Sequence, residues 1–168
     1  MKSRDIWILL VCFGLAGCGG EKAQEAGKLA QYRAEQRAKD STALADQQRT
    51  IDFYQEQYCA LMPVMDSLIQ LFQYEPKDPK YQDHGYYVLT GKTGMRILVR
   101  DDGKDLLLYK NGKRVDLNQY QLQYDDTDYP LYERALHLKI TMNDMQELEN
   151  RINFTSLEIQ KYERRLSL

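Results

Sequence analysis

Apolar residues recur at every seventh position in two separate stretches of this chain. In the first stretch, the heptad positions called a hold Leu44, Ile51, Tyr58, Met65 and Phe72. The d positions hold Tyr54, Leu61 and Leu68. An a/d repeat over about four heptads is typical of a helix that packs lengthwise on another helix. We expect this helix over residues 44–74, because Pro76 and Pro79 cannot continue it.

A proline interrupts this first stretch without ending its pattern. Pro63 falls at heptad position f, opposite the apolar seam. Its missing N–H frees the carbonyl of Cys59, which favours a bend. Because the heptads continue to Phe72, we expect the helix to continue past the proline.

The second heptad stretch follows Pro130 and runs towards the end of the sequence. Its a positions hold Leu131, Leu138, Met145, Ile152, Ile159 and Leu166. Leu148 and Tyr162 lie at d positions. Proline is well tolerated in the first turn of a helix, so we expect a second helix over residues 131–168.

Two turn signals between these stretches predict an antiparallel sheet. Asn111-Gly112 favours a two-residue hairpin, and Asp101–Lys104 fits a four-residue turn. Closing both turns pairs Leu108 with Val115, Leu106 with Leu117, Val99 with Leu106 and Ile97 with Leu108. Both turns thus predict one apolar face, made of Ile97, Val99, Leu106, Leu108, Val115 and Leu117. A slip of one residue in either turn would remove this agreement.

A further strand over Tyr86–Thr90, turning through Gly91–Gly94, would add Tyr86 and Val88 to that core face. One more edge strand is expected around Tyr120–Tyr124. The sheet would then have three or four strands within residues 84–124.

The opposite face of this predicted sheet, the second face, is unusually apolar for a solvated surface. Arg100 would lie opposite Asp105, and Tyr109 would lie between Arg96 and Arg114, within reach of cation–π contact. Either another element covers this face or it binds something. Its candidate partner or ligand residues are Tyr87, Leu89, Arg96, Leu98, Leu107, Tyr109 and Arg114.

The predicted fold class is α+β. Two long antiparallel helices, forming a coiled-coil-like hairpin, would flank a small antiparallel meander of three or four strands within one domain, residues 44–168. We expect an extended stalk of about 45 Å with the sheet at its tip. A compact fold with the helices across the sheet is the alternative. Seams of this kind also pair between chains, so a homo-oligomer formed through them is a further possibility.

The first twenty residues carry a targeting pattern. Lys2 and Arg4 precede an apolar run, which ends at Leu15-Ala16-Gly17-Cys18. This order resembles the signal peptide and lipobox of bacterial lipoproteins, and the run is too short to span a bilayer. The resemblance implies removal of residues 1–17 and lipidation of Cys18, with more than one acyl chain needed for a durable anchor.

The resemblance also implies a location in the cell envelope. Gly19 follows the lipidated cysteine in place of the aspartate that marks inner-membrane retention in enteric bacteria, so the outer membrane is the expected destination. Gly19 and Gly20 would form a flexible joint. The residues up to 43 are rich in helix-forming, solvated side chains, which predicts a helical or flexible tether over 18–43.

Charge and cysteine content exclude several classes of function. The formal net charge is −2, and losing Lys2, Arg4 and Asp5 removes a net +1 and leaves −3. A nucleic-acid partner would call for a basic face, so none is expected. Cys12 leaves with the leader and Cys18 is acylated, which leaves Cys59 without a partner for a disulfide inside the chain. We expect Cys59 to fill a partly buried position; a redox thiol or an intermolecular disulfide is the alternative.

Residues that carry chemistry are sparse. His84 and His137 are expected at the surface, and no serine or cysteine lies in a nucleophile motif. Gly91-Lys92-Thr93 lacks the spacing and context of a phosphate-binding loop. Neither Asp101, Asp102 and Asp105 nor Asp125, Asp126 and Asp128 match a calcium loop. We therefore expect no enzyme, metal or cofactor.

The sequence supports two hypotheses of function. The first is a non-enzymatic, membrane-anchored envelope lipoprotein that presents its sheet to another protein, in a structural or assembly role. The second is a lipoprotein that binds a glycan, peptide or small molecule through the Tyr, Arg and Leu side chains of the second face. The abundance of tyrosine suits either kind of binding surface.

Overall fold

The computed structural model describes residues 17–78, 80, 83–116 and 127–167, with side chains from residue 24 onwards in the first helix. Helix α1 spans Gly17–Ile69 and helix α2 spans Tyr129–Ser167. Between them lie five strands: β1 Gln73–Glu75, β2 Tyr86–Thr90, β3 Met95–Arg100, β4 Leu106–Lys110 and β5 Lys113–Val115. The predicted α+β class is confirmed.

The chain divides into two compact units. The first comprises the residues up to Gln48 together with Leu157–Leu168, and the second comprises Arg49–Ser156. The second unit holds the whole sheet and the helix segments that pack on it. It therefore holds the candidate sites described below.

Each strand of the sheet is antiparallel to its neighbour, in the order β1-β2-β3-β4-β5. The predicted pairs Leu108–Val115, Val99–Leu106 and Ile97–Leu108 are confirmed. Asn111 and Gly112 have φ of 50° and 78°, as a two-residue hairpin with the sheet's twist requires. The predicted partner Leu117 and the strand around Tyr120–Tyr124 lie outside the described residues.

The predicted register of β2 is wrong by one residue. The Gly91 N–H donates to the Met95 carbonyl at 2.7 Å, so the loop has three residues instead of four, and Gly94 closes it at φ 80°. Only glycine adopts such a φ without strain. Because side chains alternate along a strand, this slip places Tyr87 and Leu89 on the core face and Tyr86 and Val88 on the second face.

The strand count also differs from the prediction. Helix α1 ends at Ile69 instead of near residue 74, and the Phe72 N–H donates to the Ile69 carbonyl at 2.9 Å in a tight final turn. Residues Gln73–Glu75 then pair with β2 as the fifth strand. A residue that precedes proline, as Glu75 does, is biased towards an extended backbone.

One apolar core joins the sheet to the ends of both helices. Met95, Ile97 and Val99 on the central strand are fully buried. They pack in one cluster with Leu68 of α1, with Leu89, Leu106 and Leu108 of β2 and β4, and with Ala135, Leu138 and Met142 of α2. The helix ends thus cover the core face of the sheet.

The helical seams are less regular than a coiled coil. Helix α1 continues through Pro63, as expected, and the predicted a and d positions are buried or half-buried. Most stay half-exposed, however, and Thr141 and Thr155 occupy buried d positions of α2. These small polar side chains fill little space in the seam. The structure therefore has two helices but not a clear coiled-coil hairpin, and the sheet between them has five strands instead of three or four.

The N-terminal part of α1 departs from the prediction of a flexible joint. Gly19 and Gly20 lie within the helix, which continues without a break through the predicted tether. Glycine costs about 1 kcal/mol per position in a helix interior. The Ala-, Gln-, Glu- and Lys-rich residues that follow have high helix propensity and favour this extension.

Candidate functional site

The second face of the sheet holds five of the seven predicted site residues: Arg96, Leu98, Leu107, Tyr109 and Arg114. The other two, Tyr87 and Leu89, were predicted wrongly. Both lie on the core face, where Leu89 is buried in the apolar cluster and Tyr87 packs against it. The three-residue loop after β2 causes this exchange, and Tyr86 and Val88 take their places.

Two rows of side chains cross this face at right angles to the strands. Val88, Leu98 and Leu107 are direct cross-strand neighbours and form an apolar row. Arg96, Tyr109 and Arg114 form the next row, in the order predicted from the turns. Leu98, Leu107 and Tyr109 are half-buried, whereas Arg96 and Arg114 are exposed. The face therefore combines apolar contact area with two cations.

The cations at the two ends of the second row differ in their partners. Arg96 Nη2 lies 2.5 Å from Glu75 Oε1 on the neighbouring edge strand. Within the part of the chain that the structure describes, Arg114 has no ion-pair partner. A guanidinium presents several donors in a fixed plane, which suits a carboxylate on another molecule.

Arg100 closes one end of the second face. Its Nε lies 2.6 Å from Asp102 Oδ1 and its Nη2 lies 2.9 Å from Asp102 Oδ2, while Nη1 lies 2.7 Å from Asp105. The predicted Arg100–Asp105 pair is therefore confirmed. The hydrogen bonds from Arg100 hold the pKa of Asp102 at about 2, below its ordinary value of 3.8. This pair fixes the turn between β3 and β4.

A second carboxylate at the same turn ties the strands together. Asp101 Oδ2 accepts the Gly85 N–H at 2.9 Å and the Tyr74 hydroxyl at 3.3 Å, and His84 Nδ1 lies 3.4 Å from Oδ1. Partial burial, together with the Asp101 charge, raises the pKa of Tyr87. His84 is partly exposed, at the rim of the sheet as expected. The arrangement anchors β1 and β2 to the turn.

The Gly91-Lys92-Thr93 segment has a structural role that the sequence did not reveal. Asp128, directly before α2, is buried, and its carboxylate accepts the Thr93 hydroxyl. Lys110 Nζ lies 3.0 Å from the same hydroxyl. A Cβ added at Gly91 would overlap the Asp128 carboxylate. The segment therefore attaches the start of α2 to the sheet, and its glycine leaves room for this contact.

The helices of the second unit form an additional surface that the sequence reasoning missed. An open groove of about 410 Å³ runs between them, lined by Phe53, Tyr54, Gln57, Ala60, Leu61, Asp144, Glu147, Leu148 and Arg151. Most of these residues occupy heptad positions g and c, so we call this surface the g/c flank. Phe53 lines this groove and is 55% exposed, and Phe154, 66% exposed, lines a second groove that shares Tyr54, Glu147 and Arg151 with it. The feature of the sequence that could have indicated this surface is the presence of phenylalanine at two c positions, Phe53 and Phe154, outside the apolar seams.

Arg151 connects the two sides of the g/c flank. Its guanidinium carbon lies 5.6 Å from the centre of the Tyr54 ring, and it pairs with Glu147 one turn earlier on the same helix. Cation–π contact of this kind holds neighbouring helices in register.

The remaining candidates show no catalytic arrangement in the described ranges. Cys59 is exposed, not partly buried as expected, because it lies off the seam at position b. His137 is exposed on α2. No metal-binding group of three His, Cys, Asp or Glu residues occurs among the described residues, and Asp125 and Asp126 lie outside them. None of the described helices is both long and apolar enough to span a bilayer.

No protein-family model, curated protein or solved structure matches this chain.

Proposed function

We propose that this protein is a non-enzymatic lipoprotein of the bacterial envelope that holds a partner protein in a structural or assembly role. Cys18 would carry the lipid anchor, with the outer membrane as its destination. The support for the anchor is the order of charged, apolar and small residues that ends at Cys18. The partner would bind the second face of the sheet.

The observation that carries this proposal is the contrast in cover between the sheet's two faces. Both helix ends pack on the core face. On the second face Val88 is buried, at 4% exposed, but Leu98 and Leu107 beside it are half-buried, and the half-buried Tyr109 of the next row lies between the exposed Arg96 and Arg114. Apolar area flanked by arginine and tyrosine is the composition of protein-binding surfaces.

The grooves of the described residues support a protein partner over a small ligand. The groove on the g/c flank and two others, of about 360 and 410 Å³, are lined by helix residues alone. A fourth, of about 200 Å³, adds Asp101 and Asp102 of the β3–β4 turn, and none of these four grooves is lined by Val88, Leu98, Leu107 or Tyr109. The second face instead offers the broad surface of a sheet. Small molecules favour concave pockets, whereas proteins bind broad surfaces.

We also propose that the two helices act as a coiled-coil-like hairpin that presents the sheet. In the second unit, Arg151 of α2 lies over Tyr54 of α1. In the first unit, Arg165 Nη1 lies 3.7 Å from Asp40 Oδ1. Within the second unit, Leu68 of α1 shares the core cluster with Leu138 of α2, whereas the earlier Tyr54 lies under the later Arg151, as an antiparallel pair requires.

Photocrosslinking in intact cells tests the proposed partner face. Photoreactive groups replace Leu98 and Tyr109 on the second face, and Arg37 on the exposed part of α1 serves as the control position. We expect a discrete protein adduct from the two sheet positions and none from Arg37. Equal adducts from all three positions would contradict the proposal. Retention of a glycan or peptide without any protein adduct would favour a ligand-binding lipoprotein instead.

A further inference from the structure

We infer that the partner binds the second face with an acidic protein segment: one carboxylate binds Arg114, and apolar side chains pack on Leu98 and Leu107. The same segment replaces Glu75 as the partner of Arg96 with a carboxylate of its own. This inference rests on the proposed function and adds the chemistry of the partner.

Arg114 is a cation of the second face that another molecule can bind. It is exposed on β5 and lies opposite the half-buried Tyr109. In the described part of the chain it has no ion-pair partner, and Asp116, the nearest carboxylate along the chain, has an interaction of its own. A partner carboxylate here would accept charge-assisted hydrogen bonds, which are stronger than those between neutral groups.

The other end of this face is already neutralised by carboxylates of the chain. Arg100 lies 2.6 Å from Asp102 and 2.7 Å from Asp105, and Lys104 lies 3.8 Å from Asp102. Asp101 adds a further carboxylate at the same turn. A second anion is therefore disfavoured at this end, so the acidic residues of the segment lie over β5.

The Arg96–Glu75 ion pair crosses the second face diagonally. Arg96 of β3 pairs with Thr90 of β2, whereas Glu75 of β1 pairs with a residue four positions earlier on β2, Tyr86. Strand β2 lies between β1 and β3, and Val88 is its second-face residue midway between these two levels. The ion pair therefore passes over Val88, which is 4% exposed, whereas its two neighbours in the apolar row are half-buried.

This ion pair is suited to exchange with a partner. The side chains of Arg96 and Glu75 are 46% and 42% exposed, and exposed ion pairs contribute little to stability. A partner carboxylate can therefore replace Glu75 at little cost. Moving the arginine off β2 uncovers Val88 and lengthens the apolar row that the partner's side chains bury.

The arrangement favours an acidic protein segment over a nucleic acid or an anionic membrane. Those ligands present many phosphates, and their binding requires several cations on one surface. The second face instead offers Arg114 and, after the exchange, Arg96. Between these cations and the carboxylates of the β3–β4 turn lies apolar area, which protein side chains can fill.

Selection from a phage-displayed library of random peptides tests this inference on the purified full-length protein. We expect the selected peptides to be enriched in Asp and Glu at least twofold over the starting library, with apolar residues beside them. One selected peptide, labelled with fluorescein, is then titrated with the wild type and with three variants. These are Arg114→Ser, Glu75→Gln and the matched control Lys113→Ser, whose cation lies one residue away on the opposite face.

Fluorescence anisotropy gives the affinity of each protein for the peptide. We expect Arg114→Ser to weaken binding at least fivefold, because the charge-assisted hydrogen bonds are lost. Glu75→Gln should strengthen binding at least twofold, because Arg96 then has no competing carboxylate. Lys113→Ser should change the affinity by less than twofold.

Selected peptides without an excess of acidic residues, or the failure to select any peptide, would overturn the inference. Equal weakening by Arg114→Ser and Lys113→Ser would do the same, and an unchanged affinity of Glu75→Gln would overturn the exchange at Arg96. Stronger binding to vesicles that contain phosphatidylglycerol than to the peptide would indicate a membrane surface instead. The adduct at Leu98 or Tyr109 in cells is a separate readout, so its presence would support the proposed function even if the peptide test failed.

Discussion

The two faces of the sheet resemble each other in composition but not in burial. Ile97, Val99 and Leu108 on the core face are almost completely buried, whereas Leu98 and Leu107, which alternate with them, are half-buried. The described helix residues pack on the core face, whereas on the second face Val88 is the buried apolar residue among those described. Apolar content therefore does not determine which face forms the core; the elements that pack on the sheet do. The second face retains half-exposed apolar side chains beside exposed arginines.

The strongest test of this comparison is alanine substitution on the two faces at adjacent positions. Ile97→Ala leaves a cavity in the closed core and should lower the free energy of unfolding by about 3 kcal/mol. Leu98→Ala removes a half-exposed side chain and should cost about 1 kcal/mol or less. Urea denaturation followed by circular dichroism measures both. Equal losses would show that the second face is covered in the folded protein.

A smaller effect is expected at the attachment between the sheet and α2. Gly91→Ala would force the Asp128 carboxylate away from Thr93, which we expect to cost about 2 kcal/mol. Gly27→Ala is the matched control, because a Cβ there meets no atom within 4 Å. In a helix interior this change should be neutral or stabilising by up to about 1 kcal/mol. Thermal unfolding of both variants would separate the two effects. An unchanged melting temperature for the Gly91→Ala variant would contradict the contact between Thr93 and Asp128.

Structure that depends on interactions between residues close in sequence could be predicted, whereas structure that depends on distant residues could not. The Asn111-Gly112 turn and the Asp101–Lys104 turn fix the pairing of β3, β4 and β5 locally, and the predicted pairs that fall among the described residues are confirmed. The loop after β2 contains Gly91 and Gly94, and either glycine can begin or close a turn. The sequence alone does not select the three-residue loop, which is why Tyr87 and Leu89 were assigned to the wrong face.

Contacts between distant parts of the chain were beyond local reasoning. Asp128 lies far along the chain from Thr93, and the heptads do not show that a carboxylate before α2 accepts a hydroxyl from a β-hairpin loop. Similarly, Phe53 and Phe154 lie outside both apolar seams. The grooves that they line share Tyr54, Glu147 and Arg151, and that arrangement depends on the register of the two helices.

The contribution of the Arg100–Asp102 pair to stability at low pH gives a third test. Asp102 has a pKa of about 2 in the folded protein, against an ordinary value of 3.8, because Arg100 donates to it. The stabilisation is therefore present above pH 4 and is lost as the pH falls towards 2. Both side chains are about one-fifth exposed, so we expect a contribution of about 1 kcal/mol.

Asp102→Asn should remove this part of the pH dependence and lower stability at pH 7 by the same amount. Asp105→Asn is the control, because that side chain is half exposed and its pair with Arg100 is weaker in water. Thermal unfolding between pH 2 and pH 7 compares the three proteins. A wild-type curve parallel to that of Asp102→Asn would contradict the assigned role of the pair.

The smallest effect on stability, and the most specific effect on function, is expected at the edge of the second face. Arg114→Ser removes an exposed cation and should change stability by less than about 0.5 kcal/mol. It should nevertheless reduce the protein adduct at Leu98 several-fold. Lys113→Ser, one residue earlier on the opposite face, should leave the adduct unchanged. An equal reduction from both variants would indicate general electrostatic attraction instead of a specific contact.

The accessibility of the second face in living cells tests the central claim most directly. A cysteine at Leu107, in the Cys59→Ser background, is labelled with a small maleimide in intact cells and in the purified protein. We expect labelling in cells to be at least fivefold slower than in the purified protein, with equal rates for a control cysteine at Arg37. Equal rates at Leu107 in both settings would contradict a partner on the second face.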